Sequence, residues 1–148
     1  MFGKRQKLPR TIRAKVDEAR VARLATVDAK LRPHIVPVCF AFDGKVFYTA
    51  IDQKPKRVAP ERLTRLRNIL AVPQVALLID QYDEDWTQLW YVLIRGKAKL
   101  IPMSGYKERA WALRKLRAKY PQYTETMLPN DAPIIRITPH RTAFWGKV

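Results

Sequence analysis

Between residues 22 and 51 three strand-like runs follow one another through connections too short to hold a helix, and that spacing limits which kind of sheet the chain can build. Runs over 22–28 and 32–42 flank Ala29-Lys30-Leu31, and Asp43-Gly44, a strong hairpin turn signal, leads into a third run over 45–51. Strands joined this closely pair antiparallel, whereas a parallel pair needs a crossover of roughly a dozen residues or more. The two hairpins predict a meander and exclude a doubly wound parallel sheet. The second run contains Pro33 and Pro37. Proline cannot donate to a ladder, so this run is expected at an edge, at a bulge, or where a ligand meets the backbone.

The remaining pattern adds helices and three more strands. Ile12, Val16 and Ala19 fall on one face of a helix over 10–20. A second helix, opened by Pro60 and stopped by Pro73, turns Leu63, Leu66, Ile69 and Leu70 inward with Arg62, Arg65 and Arg67 mostly outward. A third spans 105–119, capped by Ser104, with Tyr106, Ala110, Leu113 and Leu116 on one side and Pro121 beyond its end. Residues 75–79 are almost continuously apolar and predict a strand buried on both faces. A long strand over 89–101 and a last one over 134–137, followed by a terminal segment 140–145, complete six strands. The 148 residues form one domain, 1–148, mainly β with flanking helices: a small antiparallel closed or split β-barrel of six strands. Such a barrel has little interior room. A ligand is therefore expected outside it, against strand edges, with a partner subunit covering the exposed side.

The net charge is +16, and its placement matters more than its size. Segments 1–23, 54–67 and 106–119 carry +6, +5 and +5, so the remainder is neutral and basic helices surround the β core. This layout favours polyanionic partners such as an RNA, an acidic membrane surface or a phosphate-bearing small molecule. The single Cys39 lies in an apolar strand, which rules out an internal disulfide and suits a reducing cytoplasm. Nothing in the chain reads as a membrane span or a targeting segment.

Residues 46–50 form a strand followed by Lys54, Lys56 and Arg57 and then by the Pro60 helix. A strand end with a threonine hydroxyl, three cations and a helix N-terminus together make a phosphate site. His34 and His140 read as ordinary histidines. Two histidines and one cysteine, dispersed, show no metal-ligand spacing. No Ser-His-Asp or Cys-His-Asn order points to a hydrolase. Trp86, Trp90, Trp111 and Trp145 read mostly as core or interface anchors.

Taken together, the stretches over 22–28 (Ala-Arg-Leu-Ala-Thr-Val-Asp), 32–38 (Arg-Pro-His-Ile-Val-Pro-Val), 47–50 (Phe-Tyr-Thr-Ala), 54–57 (Lys-Pro-Lys-Arg), 66–69 (Leu-Arg-Asn-Ile) and 75–80 (Val-Ala-Leu-Leu-Ile-Asp) resemble the FMN-binding split barrel of the pyridoxamine-phosphate-oxidase-like superfamily. Residues 82–86 (Tyr-Asp-Glu-Asp-Trp), with Trp90 beyond them, resemble its F420-dependent oxidoreductase branch. The resemblance implies a homodimer with FMN or F420 at its interface and a small-molecule substrate. It implies that Val36, Pro37 and Val38 lie along the ring, that Thr49 and Ala50 meet the ribityl chain and phosphate, and that Lys54, Lys56 and Arg57 hold the phosphate. Tyr91, Trp90 and Trp145 would reach the ring from the other subunit. Val36 and Pro37 stand where the pyridoxamine phosphate oxidases proper carry basic flavin contacts, which argues against vitamin B6 oxidation. The implied activity is hydride transfer between F420 or FMN and a small unsaturated or quinone-like molecule, with no catalytic side chain singled out. The carboxylate-rich tail of F420 suits the basic helices. Rival readings are a cofactor carrier or sensor without turnover, a haem-handling split barrel, and a basic nucleic-acid-binding barrel. The last is disfavoured because the basic residues sit on helices and not on an aromatic-interleaved strand face.

Overall fold

A computed structural model describes residues 7–53 and 63–146. Three helices, α1 (Arg10–Glu18), α2 (Thr64–Ala71) and α3 (Tyr106–Lys119), accompany seven strands. The strands are β1 (Ala22–Val27), β2 (Pro33–Val38), β3 (Ala41–Phe42), β4 (Phe47–Ala50), β5 (Gln74–Gln81), β6 (Trp90–Leu100) and β7 (Ile134–Gly146). All pair antiparallel in one sheet of order β2-β1-β5-β6-β7-β4-β3. β2 and β3 occupy opposite edges of that sheet, yet Cys39 and Phe40 alone separate them in sequence. The sheet must therefore curl until its two edges nearly meet, which makes a split barrel.

Seven strands replace the expected six because the run over 32–42 breaks at Cys39 and Phe40. The Tyr120 hydroxyl, at the end of α3, accepts the Phe40 N–H at 3.0 Å and lies 3.2 Å from the Phe40 carbonyl oxygen and 3.1 Å from that of Arg20. One phenol thus takes the place of a neighbouring strand and holds the chain as it crosses between edges. Tyr120→Phe leaves the buried Phe40 N–H unpaired and is expected to cost about 2 kcal/mol. Urea denaturation measures it, and a loss under about 0.5 kcal/mol would show that the hydroxyl is dispensable.

The core has two parts. Inside the barrel, Ile12 and Val16 of α1 and Ile69 of α2 pack with Leu24, Phe47, Leu77, Val92, Ile94 and Ile135. On the outside of β4, Tyr48 and Ala50 pack against Leu113 and Leu116 of α3. β4 is the strand buried on both faces; β5, expected to be, alternates between buried and part-exposed positions. The last strand and the terminal segment join into one thirteen-residue strand, β7.

The helix faces also differ from the expected ones. Ser104 caps nothing: Gly105 precedes α3 without a side-chain cap. Tyr106 is exposed, and Arg109 turns inward instead, donating to the carbonyl oxygens of Asn130 at 2.9 Å and Ala132 at 2.8 Å. On α2, Leu70 is exposed while Asn68 is buried. Pro60 lies outside the described residues.

Lys119 ends α3 with its Nζ 3.7 Å from the centre of the Phe40 ring. Burial, with Arg20 nearby, pushes its pKa down from 10.5 to about 8. The unfolded chain holds this proton more tightly, so the penalty of burying the cation is present at neutral pH and is relieved as pH rises through 8 towards 10.5. The stability gap between Lys119→Met and the parent is therefore expected to narrow between about pH 7 and about pH 10. Denaturation at each pH measures that gap, and a constant one contradicts the assignment.

Candidate functional site

β2 is an edge strand, so one row of its backbone N–H and C=O groups has no strand partner. Pro33 and Pro37 are tolerated there for the same reason. Along it Val38 is buried, Val36 half-buried and Pro37 exposed. Residues directly opposite one another across a sheet share a face, which places Pro37 on the outer surface in a row with Arg23, Leu78, Leu93 and Ala143. The neighbouring row begins with Ile35 and Ala25. Ile35 is 62% exposed, so the β2 end of this outer face presents an apolar surface beside Arg23 that nothing in the described chain covers.

Tyr91 and Trp145 lie on that same outer face, paired across β6 and β7 with Asp80 alongside. Their rings stack at 6.1 Å with 21° between planes, and they are 40% and 52% exposed. Trp90 alternates to the inside, 5% exposed, where its indole N–H donates to Gln81 Oε1 at 3.2 Å and Lys15 sits over its ring. The structure thus brings Tyr91 and Trp145 together and sends Trp90 into the core.

Thr49 and Ala50 are both buried and face opposite ways, Thr49 beside Phe47 towards the barrel interior and Ala50 towards α3. The chain beyond them is firmly held. The Ile51 N–H donates to the Pro133 carbonyl and the Gln53 N–H to that of Met127, each at 2.9 Å. The buried Asp52 accepts the Tyr123 hydroxyl at 2.5 Å. Burial and this carboxylate push the Tyr123 phenol well above its ordinary range. Lys54, Lys56 and Arg57 come directly after and lie outside the described residues.

Two further groups, one of them near this anchor, escape a reading of the sequence. Arg65, expected to point outward, is half-buried in the field of Asp52 and Tyr123, its pKa lowered by burial, and its Nε has no hydrogen-bond partner. On the inner face of β2, His34 Nδ1 is likewise buried without a partner, opposite Thr26. The Thr26 hydroxyl accepts the Asn68 side-chain N–H at 3.0 Å, which ties β1 to α2. Among the described residues, the first turn of α2 has no acidic side chain and no side-chain cap. No periodicity marks Arg65 as special. The signal that could have found Asn68 is a polar residue one position from an apolar ridge.

The edge backbone and apolar side chains belong to β2, while the unpartnered Arg65 nitrogen and the start of α2 belong to the region of Asp52. Among the described residues, no three His, Cys, Asp or Glu side chains come together as metal ligands, and no helix is long and apolar enough to cross a membrane.

A family model described as pyridoxamine 5'-phosphate oxidase matches residues 8–146. A 5a,11a-dehydrotetracycline/5a,11a-dehydrooxytetracycline reductase of Streptomyces rimosus is 30% identical over 128 residues, covering 84% of this chain and 72% of that protein. Among solved structures, the haem storage protein HutZ of Vibrio cholerae superposes with TM-score 0.74 at 16% identity, covering 96% of each chain. An F420 reductase superposes with TM-score 0.68 at 24% identity, covering 92% of this chain and 98% of the other. At these identities the two structures show a shared fold.

Proposed function

Since the chain belongs to the pyridoxamine 5'-phosphate oxidase family, we propose that it is an oxidoreductase moving a hydride between F420 or FMN and a small unsaturated or quinone-like molecule. The observation that carries this reading is the pairing of a proline-bearing edge strand with an exposed Tyr91–Trp145 stack on one uncovered apolar face. β2 and β6 are three strands apart in the sheet order, about 14 Å along the sheet. Contact of both with one ring is most easily met in a homodimer, where the stack of one subunit covers the strand edge of the other. The reductase relative from Streptomyces rimosus supports reduction of an unsaturated small molecule.

When bound, the cofactor supplies the hydride chemistry. The chain's own groups orient it and exclude water. Val36, Pro37 and Val38 would line the ring edge, with Tyr91 and Trp145 of the second subunit closing over it. Lys54, Lys56 and Arg57 would hold the phosphate, joined by Arg65, whose unpartnered Nε suits an anion. Thr49 and Ala50 would set the position of the strand end from which the cations extend, and Trp90 would support the stack from beneath.

Parallel titration with FMN and F420, followed by quenching of cofactor fluorescence, tests this reading. Saturation at one cofactor per subunit, with faster oxidation of the bound reduced form on adding menadione, is the expected result. Tight binding without that acceleration would favour a carrier or sensor. Failure of both cofactors to bind overturns the proposal.

A further inference from the structure

The outer face of the sheet changes character at the register shift between Arg95 and Gly96. On one side of it the rows are mostly apolar, with Arg23 and Asp80 paired at 2.6 Å among them. Arg95 faces Arg141 just before the shift, and beyond it Lys99 faces Arg136, with Lys97 opposite Thr138. Like charges directly across an antiparallel pair destabilise it, and here two such pairs occur on one ribbon. Compensation within the chain is partial. Glu108 takes Arg136 at 2.6 Å, while among the described residues no carboxylate forms an ion pair with Arg95, Lys97, Lys99 or Arg141.

Lys97, Lys99 and Arg136 border a groove of about 620 Å³, completed by Gln74, Thr138, Pro139 and His140. That volume suits a small ligand. Cations two positions apart on a strand stand about 7 Å from one another and those across the ladder about 5 Å. The hydrogen-bonded backbone fixes that spacing before any ligand arrives, which lowers the cost of ordering the site. A single-stranded nucleic acid would need large aromatic faces among the cations, and no Phe, Tyr or Trp lines this groove.

We propose that the β6–β7 ribbon beyond the Gly96 bulge binds a small polyanion carrying two or more carboxylate or phosphate groups, with Lys97 and Lys99 as its main contacts and Arg136 and His140 at its flanks. The ligand then relieves the opposition of Lys99 and Arg136, which Glu108 compensates only in part. This site stands whether or not a redox cofactor binds at the β2 edge.

Calorimetric titration of the full chain with tripolyphosphate and with citrate provides the test. One-to-one saturation by at least one anion is expected, and the tighter of the two tells a phosphorylated ligand from a polycarboxylate. Lys97→Gln with Lys99→Gln is expected to weaken binding at least about tenfold. Lys107→Gln with Lys115→Gln, which removes the same charge from α3, is expected to change it less than about twofold. The first pair relieves repulsion, so its melting temperature is expected to hold or rise, which verifies folding. Equal weakening by both pairs, or loss of binding only on replacing Lys54 and Lys56, overturns the proposal. So does binding of a single-stranded RNA when neither small anion saturates.

Discussion

Lys54→Ala combined with Lys56→Ala is expected to weaken whichever cofactor binds, FMN or F420, by at least about 2 kcal/mol. Charge-assisted hydrogen bonds to a phosphate are worth roughly 1.5 to 3 kcal/mol each. The segment that carries these lysines begins one residue after Gln53, and its approach is fixed by the buried Asp52–Tyr123 hydrogen bond and by backbone bonds from Ile51 and Gln53. These three hydrogen bonds do not involve the lysine side chains, so the loss should appear as weaker binding of a folded protein. Fluorescence titration reads it directly. Unchanged affinity in the double variant would place the phosphate elsewhere, and Arg65→Ala would then show whether the orphaned guanidinium contributes on its own.

The largest effect on stability is expected at Gly96. A Cβ there would overlap the Thr138 carbonyl, a backbone group that cannot move unless β6 and β7 separate. Gly96→Ala is expected to cost about 3 kcal/mol, in the range of overpacking a well-filled interior. It is also expected to disturb the cation spacing beyond the bulge. Denaturant melts measure the first effect, and a loss below about 1 kcal/mol would mean that the strands can part at this point.

How far the sequence foretells this fold depends on whether a feature is local. The hairpin between β1 and β2, the Asp43-Gly44 turn and the long β6 all follow from turn chemistry and alternation, which act over a few residues. The break at Cys39 and Phe40 depends on Tyr120, eighty residues away in sequence from Phe40, and no pattern near residue 40 reports it. The inward turn of Arg109 is equally non-local, because its partners are carbonyl oxygens of a loop after α3. Charge counted along the chain places the basic residues on helices. Register then gathers Arg95, Lys97, Lys99, Arg136 and Arg141 from two distant segments onto one ribbon. At the candidate site, the proline-bearing strand is legible as an irregular or edge strand because proline cannot donate to a ladder, and the register then makes it an edge. The separation of Trp90 from Tyr91 and Trp145 follows from strand alternation once the register is known. Arg65 is not legible, since an arginine between leucines on a helix reads as solvated until its surroundings are seen.

In the proposed complex a flat redox cofactor lies along the Val36–Val38 edge of one subunit beneath the Tyr91–Trp145 stack of another. A crystal structure of the protein with FMN or F420 bound tests it most directly. The expected result is a two-fold dimer with the ring against β2, the phosphate among Lys54, Lys56 and Arg57, and the aromatic stack contributed by the second subunit. A cofactor bound elsewhere, or a β2 edge filled by the protein's own side chains, would contradict it.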